Sequence, residues 1–215
     1  ICFYMRKISI KGKVDRVDGY SNYVRIIDYK SGKINDSDEQ FYTGNKIQLY
    51  LYMNAFTKDK KPAGAYYYPI KDGYTEKEEN YTMRGKTVSS EDVIYATDNT
   101  IQAGEKSKIV NVSLNKRDGK PSASSSVLNE IEMQKYLKYA VKLSENCIDE
   151  IMSGYVSPTP YENACNYCSY GGMCGFCSSE GGQFRKVSSV DKSTITGAVD
   201  LAENKTFKAE DGNEN

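Results

Sequence analysis

The chain has 215 residues, in which 29 Lys and Arg balance 29 Asp and Glu, with six Cys and no His. The length fits one or two domains, and the lack of histidine excludes a Ser-His-Asp triad, a Cys-His protease pair and a His-ligated zinc within these residues. No apolar run approaches the ~20 residues that span a bilayer and no signal peptide opens the chain, so we expect a cytoplasmic protein without a membrane anchor.

The balanced charge is unevenly distributed along the chain. Residues 1–62 contain 12 Lys and Arg against 7 Asp and Glu, whereas residues 178–215 contain 5 against 7. A nucleic-acid-binding surface is therefore expected in the first third. Because the sequence starts at Ile1 and enters a strand-like pattern at once, we also expect a piece of a longer protein.

The first elements predict a β-hairpin. Residues 7–17 alternate apolar and polar side chains, residues 18–22 contain turn formers, and residues 23–29 are rich in β-branched and aromatic side chains. Pairing of Asp18 with Tyr23 would place Asp15 opposite Ile26, on the same face as Asp28, whereas a slip of one residue would turn Asp15 to the other face.

Two further elements follow, a helix and a strand. Residues 41–56 repeat apolar side chains every fourth position, although Gly44 weakens the first turn. Residues 63–70 predict an aromatic strand, and residues 71–126 are polar and turn-rich, with a weak strand at 108–114.

Residues 128–152 predict a long helix with Ser126 as its N-cap and Gly154 after its end. Cys147 lies in this helix and is expected to be a small buried side chain. The predicted apolar face comprises Leu128, Ile131, Leu137, Val141, Ile148 and Ile151.

Four cysteines stand close together after this helix, in the pattern Cys165-x2-Cys168-x5-Cys174-x2-Cys177. Without a secretion signal, metal ligation is favoured over disulfides. Thiolates bind Zn²⁺ or iron–sulfur clusters, and the gap of five is short for a zinc ribbon, which separates its cysteine pairs by roughly 12–20 residues. We expect a folded unit over residues 1–177, with the cluster motif at 165–177, followed by a disordered acidic tail over 178–215.

The hairpin carries a candidate catalytic group. Asp28 and Lys30 are two residues apart in a strand and project to the same face, which Asp15 joins in the predicted register. Carboxylates that bind Mg²⁺ and a lysine that stabilises negative charge suit phosphodiester hydrolysis. A D-x-K tripeptide alone is more simply an exposed strand face, but Asp28 follows an apolar strand segment, where a charged side chain requires a partner.

These motifs occur together in a known family. The segments GKVDRVDGY, YVRIIDYKSGK and KIQLYLYM resemble the RecB-like branch of the PD-(D/E)XK nuclease superfamily, and more narrowly the C-terminal nuclease domain of the B subunits of bacterial AddAB-type ATP-dependent helicase–nucleases. The resemblance runs from about residue 8 to residue 176. It implies an α/β fold with a small mixed sheet flanked by helices and a C-terminal cysteine-rich cluster loop.

The resemblance also assigns roles. Asp15 and Asp28 match the metal-binding acids, Lys30 the catalytic lysine, and Gln48 and Tyr52 the Q-x-x-x-Y motif beside the active site. Asp18 is interpreted as a turn residue, although an exchange of roles with Asp15 stays open. The superfamily usually adds a His or Glu from an upstream helix, which we expect to precede Ile1.

For the cysteines, the resemblance implies that Cys165, Cys168 and Cys174 bind a [4Fe–4S] cluster together with one cysteine upstream of this chain. Cys177 is extra to that triplet and is the candidate substitute.

The implied function is a Mg²⁺-dependent DNA exonuclease in double-strand-break repair. It would act on a single strand leaving a helicase, with an AddA-type subunit as partner. Two alternatives stay open on the sequence. One is a non-catalytic cysteine–metal module that binds nucleic acid or a protein, and the other is a CRISPR-associated RecB-like exonuclease.

Overall fold

The structure, a computed structural model, describes residues 2–5, 8–70, 81–186 and 189–211. Within these ranges the strands are β1 (Cys2–Met5), β2 (Ile8–Lys11), β3 (Arg16–Tyr20), β4 (Tyr23–Lys30), β5 (Lys61–Pro69), β6 (Arg84–Val88) and β7 (Val127–Leu128). The helices are α1 (Asp38–Tyr42), α2 (Gln48–Phe56), α3 (Glu91–Thr97), α4 (Glu130–Met152) and α5 (Lys192–Asp211). None of the helices in the described part of the chain is long and apolar enough to cross a membrane.

The main sheet has five strands in the order β3-β4-β5-β6-β7. The pairs β4–β5 and β6–β7 are parallel and the other two are antiparallel, so the sheet is mixed. Strand β2 pairs with β1 in a separate two-stranded sheet, so the predicted first hairpin strand divides between two sheets at residues 12–15. The predicted α/β fold, a small mixed sheet flanked by helices, is confirmed.

Strand β4 is buried on both faces because a hydrophobic core covers each side of the sheet. Val24 and Ile26 belong to the core beneath α2 and α4, whereas Ile27 belongs to the opposite core. Neighbouring β5 divides in the same way, with Ala65 on the first side and Tyr66 on the second. Asp28 follows the alternation of Val24 and Ile26, so it projects to the side of α2.

The second core is built by a segment whose sequence is mostly polar. Residues 81–126 form β6, α3 and a bridged irregular stretch that buries Ile101, Val110, Val112 and Leu114. Asp98 organises this stretch, accepting hydrogen bonds from Ser107 Oγ at 2.6 Å and Thr100 Oγ1 at 2.7 Å. The predicted turns and weak strand at 108–114 correspond to turns and to isolated bridges at Val110, Ser113 and Leu114. Strand β6, helix α3 and the buried core of this stretch were not predicted, and residues 71–80 lie outside the described residues.

The prediction of a disordered tail over residues 178–215 is wrong where helix α5 forms, at Lys192–Asp211. Ile195 is fully buried and Val199 nearly so, both on the side facing the first core and α4. The Nζ of Lys135 in α4 lies 2.6 Å from Asp200 Oδ1, an ion pair that joins the two helices. Asp191 caps α5 by accepting a hydrogen bond from the Thr194 amide. Residues 187–188 and 212–215 lie outside the described residues.

The predicted helix over residues 41–56 is two helices. Ser37 accepts a hydrogen bond from the Gln40 amide and caps α1. Gly44 then adopts a φ of +87° in the turn before α2, a left-handed conformation that glycine reaches without a steric cost. The break displaces the start of α2 to Gln48.

Helix α4 differs from its prediction at its start and on its buried face. Its N-cap is Asn129, in a capping box with Glu132, and not Ser126. Gly154, with a φ of +78°, follows its end as predicted. Met133, Tyr136 and Ala140 supply much of the buried face, whereas Ile131 and Ile151 are exposed. Cys147 is exposed as well, so its expected burial is wrong.

Candidate active site

The register of β3 and β4 places Asp15 beside Asp28. Tyr20 pairs with Tyr23 and Arg16 with Ile27, two residues away from the predicted register, and this shift preserves the face of each side chain. Asp15 stands just before β3, and its Oδ2 accepts a hydrogen bond from the Tyr29 amide at 3.0 Å. The Asp15 carboxylate thus holds the segment of β4 that carries Asp28.

Asp28 is the most unusual carboxylate of the site because one of its oxygens is buried without a hydrogen bond. The residue is 7% exposed, and Oδ2 has no hydrogen-bond partner. The Nζ of Lys30 lies 2.6 Å from that oxygen, an ion-pair contact that lacks hydrogen-bond geometry. A buried carboxylate oxygen that accepts no hydrogen bond still has lone pairs with which it can bind a cation.

Tyr67 forms the wall of the site on the neighbouring strand β5, where it pairs in register with Asp28. Burial, followed by the negative charges of Asp28 and Asp36, raises the pKa of its hydroxyl well above the ordinary value, which keeps the phenol neutral. The ammonium groups of Lys30 and Lys46 lie 5.6 and 5.8 Å from the centre of its ring, within the range of cation–π contacts.

The Gln48 and Tyr52 side chains are joined on α2, as their i, i+4 spacing predicts. Gln48 Nε2 donates to the Tyr52 hydroxyl at 3.0 Å. Tyr52 also packs against the backbone of Gly12, where an added Cβ would stand 2.6 Å from Tyr52 Cε1. Gly12 lies three residues before Asp15, so this close approach fixes α2 against the chain entering the hairpin.

The donor set fits Mg²⁺. This ion usually takes one or two carboxylates and completes its shell with water and substrate phosphate oxygens. Asp15 and Asp28 supply two carboxylates here, and the buried Oδ2 of Asp28 accepts no hydrogen bond. No group of three or more His, Cys, Asp or Glu side chains in the described ranges is arranged to hold a metal.

Asp18 is a member of strand β3 and not of the turn, which consists of residues 21–22. Arg16 Nε lies 2.8 Å from its Oδ1 and Arg25 Nη2 lies 2.8 Å from its Oδ2. Burial raises the pKa of the Asp18 carboxyl, but the hydrogen bonds from both arginines outweigh burial and hold it below the ordinary value. Its interpretation as a turn residue is wrong: Asp18 joins the two strands of the hairpin by ion pairs.

The cysteine segment lies outside both cores. Cys165, Cys168 and Cys174 are exposed thiols, and Cys177 is half-buried. The Tyr170 amide donates to Cys168 Sγ at 3.4 Å and the Phe176 amide to Cys174 Sγ at 3.5 Å. Each of these two sulfurs thus accepts one backbone hydrogen bond, and in the described part of the chain the thiols are not brought together as a metal-holding group.

Cys177 has a separate environment. Its Sγ lies 2.9 Å from the Ser179 hydroxyl, and the hydrogen bond from that side chain lowers the pKa of the Cys177 thiol. The segment returns toward the fold through Arg185, whose amide donates to the Pro160 carbonyl and whose guanidinium stacks 4.2 Å from the centre of the Tyr161 ring.

Two residues of the site, Tyr67 and Lys46, were not predicted from the sequence. Tyr67 is one of three consecutive tyrosines, and only the parallel pairing of β4 with β5 sets it beside Asp28. Lys46 stands in a polar turn two residues before Gln48, which gives a sequence signal only by its nearness to that motif.

The site therefore combines a buried carboxylate, an adjacent lysine and a second acid on a mixed sheet. The profile of the PD-(D/E)XK nuclease superfamily matches residues 2–175, and the chain belongs to this superfamily.

Curated relatives of this chain are named as the B subunit of an ATP-dependent helicase/deoxyribonuclease. The protein of Clostridium tetani is 32% identical over 209 residues, which cover 83% of this chain and 18% of the relative. The protein of Lachnoclostridium phytofermentans is 30% identical, covering 88% and 19%, and that of Alkaliphilus metalliredigens is 33% identical, covering 80% and 17%. The chain thus spans less than a fifth of the length of these relatives.

Proposed function

We propose that this chain is the Mg²⁺-dependent DNA exonuclease domain of a larger helicase–nuclease protein. The observation that carries the proposal is the buried Oδ2 of Asp28, which accepts no hydrogen bond, forms an ion pair with the Lys30 ammonium and lies on the strand that the Asp15 carboxylate holds. Superfamily membership supports the nuclease chemistry.

The side chains divide the work of hydrolysis between them. Asp15 and Asp28 would hold the ion, which when bound would supply charge neutralisation and lower the pKa of water. The half-exposed Lys30 ammonium orients the attacking water or stabilises negative charge on the phosphate. Gln48 and Tyr52, joined by their hydrogen bond and seated on Gly12, position the DNA strand beside the carboxylates.

The cellular role is proposed from the relatives' name. A component of an ATP-dependent helicase/deoxyribonuclease would receive single-stranded DNA from a motor, and this strand is the substrate we propose. The complex would process double-strand breaks for recombinational repair in the cytoplasm, with an AddA-type subunit as partner.

The cysteine segment is proposed to hold a [4Fe–4S] cluster. Cys165, Cys168 and Cys174 are the proposed ligands, with a fourth cysteine upstream and Cys177 as the substitute. Two amide-to-sulfur hydrogen bonds and the density of free thiols support this role. Cys168→Ser should lower the iron and sulfide content and the thermal stability of the full-length protein; unchanged iron and sulfide content would refute the cluster.

The nuclease proposal is tested by Asp28→Asn in the full-length protein, purified with its partner subunit. Loss of the metal's charge stabilisation, worth several kcal/mol, corresponds to a loss of at least about a thousandfold in cleavage of a single-stranded oligonucleotide with Mg²⁺. Asp59→Asn, at an exposed turn before β5, is the matched control and should cleave normally. Cleavage by Asp28→Asn at the control's rate would refute the assignment.

A further inference from the structure

Lys46 brings a second ammonium to the candidate active site. It lies in the turn between α1 and α2, and its amide donates to the Gln40 carbonyl at 3.2 Å, which fixes the course of the turn. Its Nζ stands 5.8 Å from the centre of the Tyr67 ring, the same ring that Lys30 approaches at 5.6 Å. Tyr67 pairs with Asp28 on the neighbouring strand, so Lys46 approaches a ring that stands beside that carboxylate.

The two lysines differ in their partners. Lys30 is engaged by Asp28 at 2.6 Å, so part of its charge is neutralised by the carboxylate. Lys46 forms no ion pair with any carboxylate of the described residues, although the protein pairs Lys61, Lys86, Lys135 and Lys192 with acids elsewhere. A half-buried ammonium held on an aromatic ring, without a carboxylate partner, is available for an anion brought by a ligand.

We propose that Lys46 binds a phosphate of the substrate strand next to the scissile one, as a positioning residue for the cleavage reaction. This inference rests on the proposed function and deepens it. The Tyr67 ring, which forms the wall of the site, holds the Lys46 ammonium, so little side-chain freedom is lost when a phosphate binds. Lys46 then acts on substrate binding, whereas Lys30 acts on the reacting phosphate.

The proposed contact has a thermodynamic signature that packing against Tyr67 does not share. Each phosphate neutralised on single-stranded DNA releases bound counterions, which contributes about 0.7 to the slope of log affinity against log salt. A lysine that only packs on the ring contributes nothing to that slope. Methionine keeps an unbranched apolar side chain against the ring but lacks the charge.

The test compares Lys46→Met and Lys46→Arg in the full-length protein, purified with its partner subunit. Lys58→Met is the control, because Lys58 is an exposed lysine just beyond the opposite end of α2. Binding of a short single-stranded oligonucleotide is measured without Mg²⁺ over a range of NaCl concentrations, and steady-state cleavage is measured with Mg²⁺ and without ATP. Other DNA-binding parts of the complex contribute equally to all variants, so differences report the lysine.

Lys46→Met is expected to raise KM and weaken binding about tenfold, the effect of one charge-assisted contact, with kcat within about twofold of wild type. The salt slope should fall by about 0.7, Lys46→Arg should restore both values, and Lys58→Met should match wild type. An unchanged salt slope and KM in Lys46→Met, or a loss confined to kcat, would overturn the inference.

Failure of the proposed function is recognised separately. If wild type and Lys58→Met bind DNA but do not cleave it with Mg²⁺, the nuclease proposal fails, whereas the salt slope still decides whether Lys46 contacts a phosphate.

Discussion

The hairpin site and the cysteine segment are held in place by different means. Asp28 projects from a strand buried on both faces, and its neighbours on β5 and α2 belong to the same core. Cys165, Cys168 and Cys174 project from short turns with exposed side chains, and local hydrogen bonds hold their backbone. Catalytic carboxylates must keep their positions before substrate arrives, whereas thiols can be ordered by the metal that they bind.

Of the substitutions that test this contrast, truncation of Ile195 should have the largest effect on stability. Ile195 is fully buried in the core beneath α2 and α4, so Ile195→Ala should reduce the free energy of unfolding by about 2–5 kcal/mol. Urea denaturation of the full-length protein, followed by a probe in this region, measures the loss. Leu201→Ala, at an exposed position of the same helix, is the control with a change below about 0.5 kcal/mol. Equal effects would mean that α5 does not belong to the core of the site.

Glycine substitutions in the hairpin site and in the cysteine segment should differ in stability by an intermediate amount. A Cβ at Gly12 would overlap the Tyr52 ring, so Gly12→Ala should cost about 1–3 kcal/mol in stability and reduce cleavage by displacing Tyr52. Gly172, in the cysteine segment, has nothing within 4 Å of the added Cβ. Gly172→Ala should therefore unfold like wild type in thermal denaturation. A Gly12→Ala protein with wild-type stability and cleavage would contradict the close approach to Tyr52.

The smallest expected effect concerns acid stability. Burial raises the pKa of Asp98, but hydrogen bonds from Ser107 and Thr100 outweigh it and hold the pKa below the ordinary value. The folded state then binds fewer protons than the unfolded state, so this contribution is present above about pH 3.9 and is lost as the pH falls through the lower folded value.

Urea unfolding at pH 6 and pH 3 measures this contribution. The stability difference between wild type and Asp98→Asn should be largest at pH 6 and shrink at pH 3, whereas Asp59→Asn should resemble wild type at both. A difference that stays constant with pH would show that Asp98 contributes by packing alone.

The local patterns predicted the elements around the site well. The alternation before and after residues 18–22 predicted the hairpin, and the i, i+4 spacing of Gln48 and Tyr52 predicted their contact. The predicted register of β3 on β4 was wrong by two residues, because the tight turn at residues 21–22 sets the pairing. Asp18 then pairs with Arg25 and accepts a hydrogen bond from its side chain. An even shift keeps the face, so Asp15 still reaches the strand of Asp28.

The patterns failed where distant segments supply the burial. Residues 192–199 have few large apolar side chains, but Ile195 and Val199 are buried, and the ion pair of Lys135 with Asp200 joins α5 to α4. Residues 81–126 are mostly polar, but their scattered apolar side chains form the second core. Asp98 accepts hydrogen bonds from the turns that connect them, including one from Ser107 Oγ. Helical periodicity on α4 selected Ile131 and Ile151, which the direction of packing leaves in solvent.

The sequence by itself determined the chemistry of this protein: which carboxylates, lysine and thiols it carries, and at which spacings, since covalent order is enough to set neighbours on one strand or one helical turn. Tertiary structure alone decided that Asp28 is buried with one oxygen that accepts no hydrogen bond, and that Tyr67 stands beside it. It also decided that Lys46 lies against the Tyr67 ring. Those properties depend on which strands pair and which helix covers them, and pairing between segments far apart in the chain is set by the burial of the whole core and not by any local pattern.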